Sequence, residues 1–213
     1  MRAAGSSFVP VVLEFPESDG RPQSWGRFLE LAATGGRMLS QTRLSRGDGL
    51  RVSFSLPGEA VSGLRADVLR ARRDADGYFE AELRFLDEAV KVRLGRALLT
   101  LKRYREATVA LAAVPKGSAV EAEAAYFLAR IKAKRQPAPA VYEDVVARFP
   151  GTPWAEDALL NLAQHFQKDA LEDQALPYHR RLLAAFPHGR YADRATWRVA
   201  WWEFRAGHYG IAA

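Results

Sequence analysis

The sequence predicts two domains of opposite class. Residues 1–101 form a small six-stranded antiparallel β-barrel with a C-terminal helix, and residues 102–213 form an α-helical hairpin repeat array. Three observations predict this. Apolar residues alternate with polar ones at period two up to about Leu86. The period changes to a helical one near Asp87. A block of sequence then recurs 37 residues later in the C-terminal half. Composition agrees with a folded chain: 48% of the 213 residues are hydrophobic and 26% are charged. That balance excludes disordered, collagen-like and coiled-rod classes.

The strands follow in order. Phe8 to Phe15 is a β-branched run with polar borders, and Arg27 to Ala32 and Arg37 to Ser40 are shorter candidates. In the next, Leu50, Val52, Phe54 and Leu56 share one face while Arg51, Ser53 and Ser55 share the other. Arg65 to Arg72 is the fifth. Phe79, Ala81, Leu83 and Phe85 give the sixth, with Glu80, Glu82 and Arg84 toward water. Turn chemistry separates them at Ser18-Asp19-Gly20, Thr34-Gly35-Gly36, Gly47-Asp48-Gly49, Pro57-Gly58 and Asp74-Ala75-Asp76-Gly77. Six short strands with such punctuation suit a closed sheet, which removes exposed edges.

Asp87 is the expected cap of the first helix, and Val90, Leu94, Ala97, Leu98 and Leu101 trace its apolar stripe. Downstream, Phe149-Pro150 recurs as Phe186-Pro187, and Trp154 to Ala158 recurs as Tyr191 to Ala195, both 37 residues on. A weaker copy lies 34 residues upstream, where Glu123-Ala124 matches Asp157-Ala158. The small residues Ala124, Ala158 and Ala195 let helices approach, and Tyr126, Leu160 and Trp197 are expected to fill the gaps beside them. Phe-Pro ends a helix, because the residue before proline avoids helical geometry. Thr152-Pro153 reopens one, with a Thr cap and Pro at the first helical position.

These repeats resemble a tetratricopeptide array over about residues 88 to 213. Within that class, His165-Phe166-Gln167-Lys168-Asp169, Tyr178-His179-Arg180-Arg181 and Trp197-Arg198-Val199-Ala200-Trp201 resemble the superhelical scaffold of soluble lytic murein transglycosylases. That resemblance implies a periplasmic scaffold acting on peptidoglycan, with its catalytic domain elsewhere. The array stops partway through a unit at Ala213, so a truncated array is expected.

The first half resembles a PilZ domain over about residues 5 to 101, on the segment Glu30-Leu31-Ala32-Ala33-Thr34-Gly35-Gly36 and the order of strands and helix around it. The resemblance implies cyclic di-GMP as a regulatory ligand, held at Arg2, Glu30, Ala32 and Gly35. Arg2 stands alone where the family has two arginines, whose guanidinium forks suit phosphate. Ala32 takes the place of a serine and Glu30 that of an Asp or Asn. The resemblance is therefore to a degenerate member of that family, and the alternative is a domain kept for protein contacts.

The sequence holds no recognisable catalytic set, so the chain as given is expected not to be an enzyme. There is no cysteine, hence no disulfide, thiolate metal site or cysteine nucleophile. The four histidines, His165, His179, His188 and His208, are not spaced as metal ligands, and no metal or cofactor is expected. His165 and His179 are expected on helix surfaces or in grooves, His188 and His208 in turns. Glu17-Ser18 has a transglycosylase-like dipeptide but the wrong context. Glu156, Asp157, Glu172 and Asp173 read as solvated positions and caps. Trp197 and Trp201 share a helix face and read as core, while Trp202, off that face, and His165 are the candidate contacts for a protein partner.

With 31 Lys+Arg against 25 Asp+Glu the chain carries +6, but its basic clusters, Arg70 to Arg73 and Lys132 to Arg135, lack interleaved aromatics, so nucleic acid is not expected. No apolar run approaches the ~18 residues of a membrane span. Met1 to Ser7 lacks the pattern of a secretory signal, so a cytoplasmic location is expected, or a periplasmic one for a transglycosylase scaffold. The function that follows is a non-catalytic regulatory or adaptor protein.

Overall fold

A computed structural model describes residues 9–16, 21–135 and 138–208. Six strands and seven helices occur among these residues: β1 (Val9–Glu14), β2 (Ser24–Ala32), β3 (Gly35–Ser40), β4 (Gly49–Leu56), β5 (Glu59–Arg73), β6 (Phe79–Phe85), α1 (Ala89–Thr100), α2 (Tyr104–Ala112), α3 (Glu121–Lys132), α4 (Ala138–Arg148), α5 (Pro153–Lys168), α6 (Glu172–Ala185) and α7 (Ala192–Arg205). The chain divides into two compact units, one up to Glu121 and one from Ala122 onward.

In the first unit all strand pairs are antiparallel, in the order β1-β2-β3-β6-β5-β4, and β1 pairs with β4 to close a barrel. Alternation in the sequence becomes alternation between core and solvent. Val52 and Phe54 point inward, as do Ala81, Leu83 and Phe85. Phe28 lies edge-on to Phe54 at 5.2 Å and to Phe85 at 6.2 Å, so three strands meet in one aromatic cluster. Such pairs add about 0.5–1.5 kcal/mol each beyond their buried area. Val90 of α1 joins the same core.

β5 is longer than the expected Arg65 to Arg72. Its first half pairs with β4 and its second with β6. A register shift sits opposite Ser53, where Gly63 takes φ 62° and its N–H donates to the Ser53 hydroxyl at 2.9 Å. The inward residues therefore run Val61, Leu64, Ala66, Val68, with a step of three before the steps of two. That bulge breaks the alternation and hides the first half of the strand.

Thr34-Gly35-Gly36 is not wholly a turn. The turn is Ala33-Thr34, and both glycines belong to β3. A Cβ on Gly35 would lie 2.0 Å from the Leu83 carbonyl oxygen, and one on Gly36 would lie 2.9 Å from the Phe28 ring. Glycine is needed here for close strand approach.

Asp87 does not cap α1. The helix starts after Glu88 without a side-chain cap. Asp87 instead accepts from the Arg65 backbone N–H at 3.0 Å and pairs with its guanidinium at 2.7 Å. Leu101, expected on the buried stripe, is exposed at the C-cap, where Lys102 turns the chain with φ 58°. Gly95 lets Leu111 of α2 reach α1, since a Cβ there would sit 2.5 Å from Leu111 Cγ.

In the second unit α4 packs on α5, α5 on α6 and α6 on α7. Ala124, Ala158 and Ala195 are all buried, as their spacing implies. The helix ends also follow the sequence. Phe149 and Phe186 lie just past α4 and α6, and the Thr152 side chain accepts from the Ala155 N–H at 3.3 Å with Pro153 at the first helical position. α5 is buried almost all round, with Leu159, Leu162 and Ala163 at its centre.

Candidate functional site

Two of the positions singled out on the barrel lie on its outer wall. Glu30 and Ala32 are exposed on β2, and Ala32 pairs in register with Gly35. Gly35 itself is buried, with no side chain to offer. Arg2 and Glu17-Ser18 lie outside the described residues.

What the sequence reading missed is the set of arginines that the sheet order brings beside Glu30. Arg37 of β3 reaches Glu30 at 2.5 Å and Glu80 of β6 at 3.0 Å, and Arg72 of β5 meets the same Glu80 through Nε at 2.8 Å. Charges thus alternate across four strands. Hydrogen bonds first from Arg72 and then from Arg37 hold Glu80 below the usual carboxylate range, against desolvation. Residues far apart in sequence become neighbours through strand pairing, which no local motif announces.

The second candidate region is α7. Trp197 and Trp201 are not core residues: they are 57% and 43% exposed. Ala192, Ala195 and Glu203 take the buried face instead. The two indoles are near parallel, with centroids 6.0 Å apart, and Trp201 stacks in turn on Phe204 at 6.1 Å. The Arg198 guanidinium lies 5.2 Å from the Trp197 ring centroid. Trp202, proposed as the exposed contact, is half-buried, and its Nε1 donates to Asp173 of α6 at 3.1 Å. His165 is also half-buried, edge-on to Phe166 at 5.2 Å, and Phe166 stacks on Tyr178 of α6.

A third region lies where α5, α6 and α7 meet. His179 is only 2% exposed, rather than on a surface or in an open groove. Its Nε2 lies 3.0 Å from Gln167 Nε2, and its Nδ1 has no partner. A cavity of about 20 Å³ adjoins it, lined among others by Glu172, Arg198, Trp201 and Trp202. That volume admits about one water. Burial, and then the positive charges of Arg198 and Arg194, push the His179 pKa down to about 4.

Two of the carboxylates read as solvated are buried links between repeats. Glu156 accepts from the Tyr191 N–H at 3.0 Å, at the start of α7. Asp157 accepts from the Tyr191 hydroxyl at 2.7 Å and pairs with Arg190 at 3.0 Å. Gly189 permits this approach, because a Cβ there would lie 2.2 Å from Glu156 Oε1. Glu203, also buried, accepts from Arg180 and from His208 Nδ1 at 2.8 Å, and the His208 hydrogen bond above all holds it below the usual carboxylate range.

No protein-family model and no curated protein matches the chain. Among the described residues, no group of three or more His, Asp or Glu is placed to hold a metal ion, and no helix is long and apolar enough to cross a membrane.

Proposed function

We propose that the chain is a non-catalytic adaptor whose helical array docks a protein partner through the face of α7. The observation that carries this reading is the exposed Trp197–Trp201 stack. Two indoles at these exposures leave roughly 250 Å² of apolar surface in water, taking about 250 Å² for each whole side chain. Covering it is worth about 6 kcal/mol gross, before the costs of association. Tryptophan is also the residue type most enriched among binding hot spots.

The strand order and the helix that follows support reading the first unit as a degenerate PilZ-like domain. The repeat spacing and the buried alanines support reading the second as tetratricopeptide-like. On this reading the barrel senses cyclic di-GMP on the outer wall around Glu30, Ala32 and Gly35, or serves as a second contact surface. Calorimetric titration with cyclic di-GMP separates the two roles: heat that vanishes in an Arg37→Ala variant supports sensing, and no heat with a folded barrel removes it.

The adaptor reading is tested by placing a photo-crosslinking residue at position 201 and, as a control, at Lys168 in cells that make the protein. A discrete crosslinked partner at 201 and none at 168 is the expected result. The same adducts at both positions, or none at 201, would sink the reading.

A further inference from the structure

Resting on that docking reading, we infer that the partner element is an acidic amphipathic helix, laid along α7 with its apolar stripe on Trp197 and Trp201 and its carboxylates on Arg194 and Arg198.

The helical part comes from the array itself. Trp197 stands 37 residues after Leu160 of α5. Leu160 is 7% exposed, whereas Trp197 is 57% exposed. On α5 this side of the helix meets α6: Gln167, the position 37 before Phe204, bonds His179. Among the described residues, the same surface type is thus covered by a helix on α5 and by none on α7.

The acidic part comes from charge. Arg194 and Arg198 follow α7 one turn apart, beside the indoles. Among the described residues neither makes an ion pair, while Arg190 and Arg205 on the same stretch are paired with Asp157 and Glu172. Two uncompensated guanidiniums flanking an aromatic stripe favour a partner that brings carboxylates. They are close enough together to depress the buried His179 jointly, which places one positive field over this end of α7. A single nucleic-acid strand fits less well. Two rings 6.0 Å apart leave no room for a base between them, since stacking on both sides needs about 7 Å.

The test uses three synthetic helices of about the length of α7, with one leucine stripe and flanks of Glu, Gln or Lys. Binding to the full chain is followed by tryptophan fluorescence and calorimetry. The Glu-flanked helix should bind at least about ten-fold tighter than the Lys-flanked one. Arg194→Glu, which leaves one positive and one negative side chain, should abolish that preference, and Trp197→Ala should weaken both. Arg194 is exposed, so its reversal leaves the fold intact, which circular dichroism checks. If all three helices bind alike and Trp197→Ala weakens all, docking stands and the acidic preference falls. Should no helix bind while a partner still crosslinks at position 201, docking stands and the helical occupant falls. Salt-sensitive binding of an oligothymidine lost in Trp197→Ala, or a dimer of the chain lost in that variant, would also overturn the acidic helix.

Discussion

Lowering the pH should loosen the second unit through His179. In the folded chain burial holds this ring at a pKa of about 4, below the ordinary 6.5. Between those values the unfolded chain binds a proton that the folded chain does not, so stability is full above about 6.5 and falls as the pH drops toward 4. With those two values, about 2 kcal/mol is lost between pH 8 and pH 5. The assay is urea unfolding followed by tryptophan fluorescence, to which Trp154, Trp197, Trp201 and Trp202 of the second unit contribute four of the five indoles. With a slope of about 1–2 kcal/mol per molar, the midpoint should fall by about 1–2 M. The comparison is with His179→Leu, which keeps the other three histidines, His165, His188 and His208. That variant also removes the Nδ1 left without a partner, so it should hold near wild-type stability at pH 8 and lose less on acidification. Parallel losses in wild type and variant would refute the assignment to His179.

Four further outcomes follow from the geometry. Gly35→Ala drives a Cβ into the Leu83 carbonyl and should cost about 3 kcal/mol or more of barrel stability by denaturation. Thr152→Ala removes the α5 cap and should cost about 1 kcal/mol in the helical unit. Asp157→Ala should cost about 2 kcal/mol, and a double-mutant cycle with Tyr191→Phe should show the two losses to be coupled. Trp197→Ala should change stability by no more than about 0.5 kcal/mol, because the side chain is exposed.

How far the sequence could be read depended on the range of the forces involved. β6 was legible from Phe79 to Phe85 because simple alternation matched a regular strand. β5 was legible only past its bulge at Ser62-Gly63, since a single extra residue shifts the period. The helical repeat was visible because buried alanines recur at fixed spacing. Trp197 was misplaced because periodicity locates a helix face without saying whether another helix covers it. Glu156 and Asp157 were misplaced for the opposite reason: they are charged by composition, but the loop of the next repeat supplies Tyr191 and Arg190. Likewise Arg37 and Arg72 meet around Glu80 only after β3, β6 and β5 are in order. For Glu156 and for Arg37 the deciding neighbour lies 35 and 43 residues away.

The acid pair of α5 gives the array a direction of growth. Glu156 and Asp157 act as a latch, and Gly189, Arg190 and Tyr191 form the keeper that enters it. One repeat further on, the latch positions are Asp193 and Arg194. The second has changed sign, so a following arginine-bearing loop would meet repulsion there. Another copy of the α5–α6 hairpin placed behind α7 should therefore dock less firmly than one that met an acid in place of Arg194. On the docking reading, the residue that weakens this latch is also the one that would attract an acidic ligand to α7.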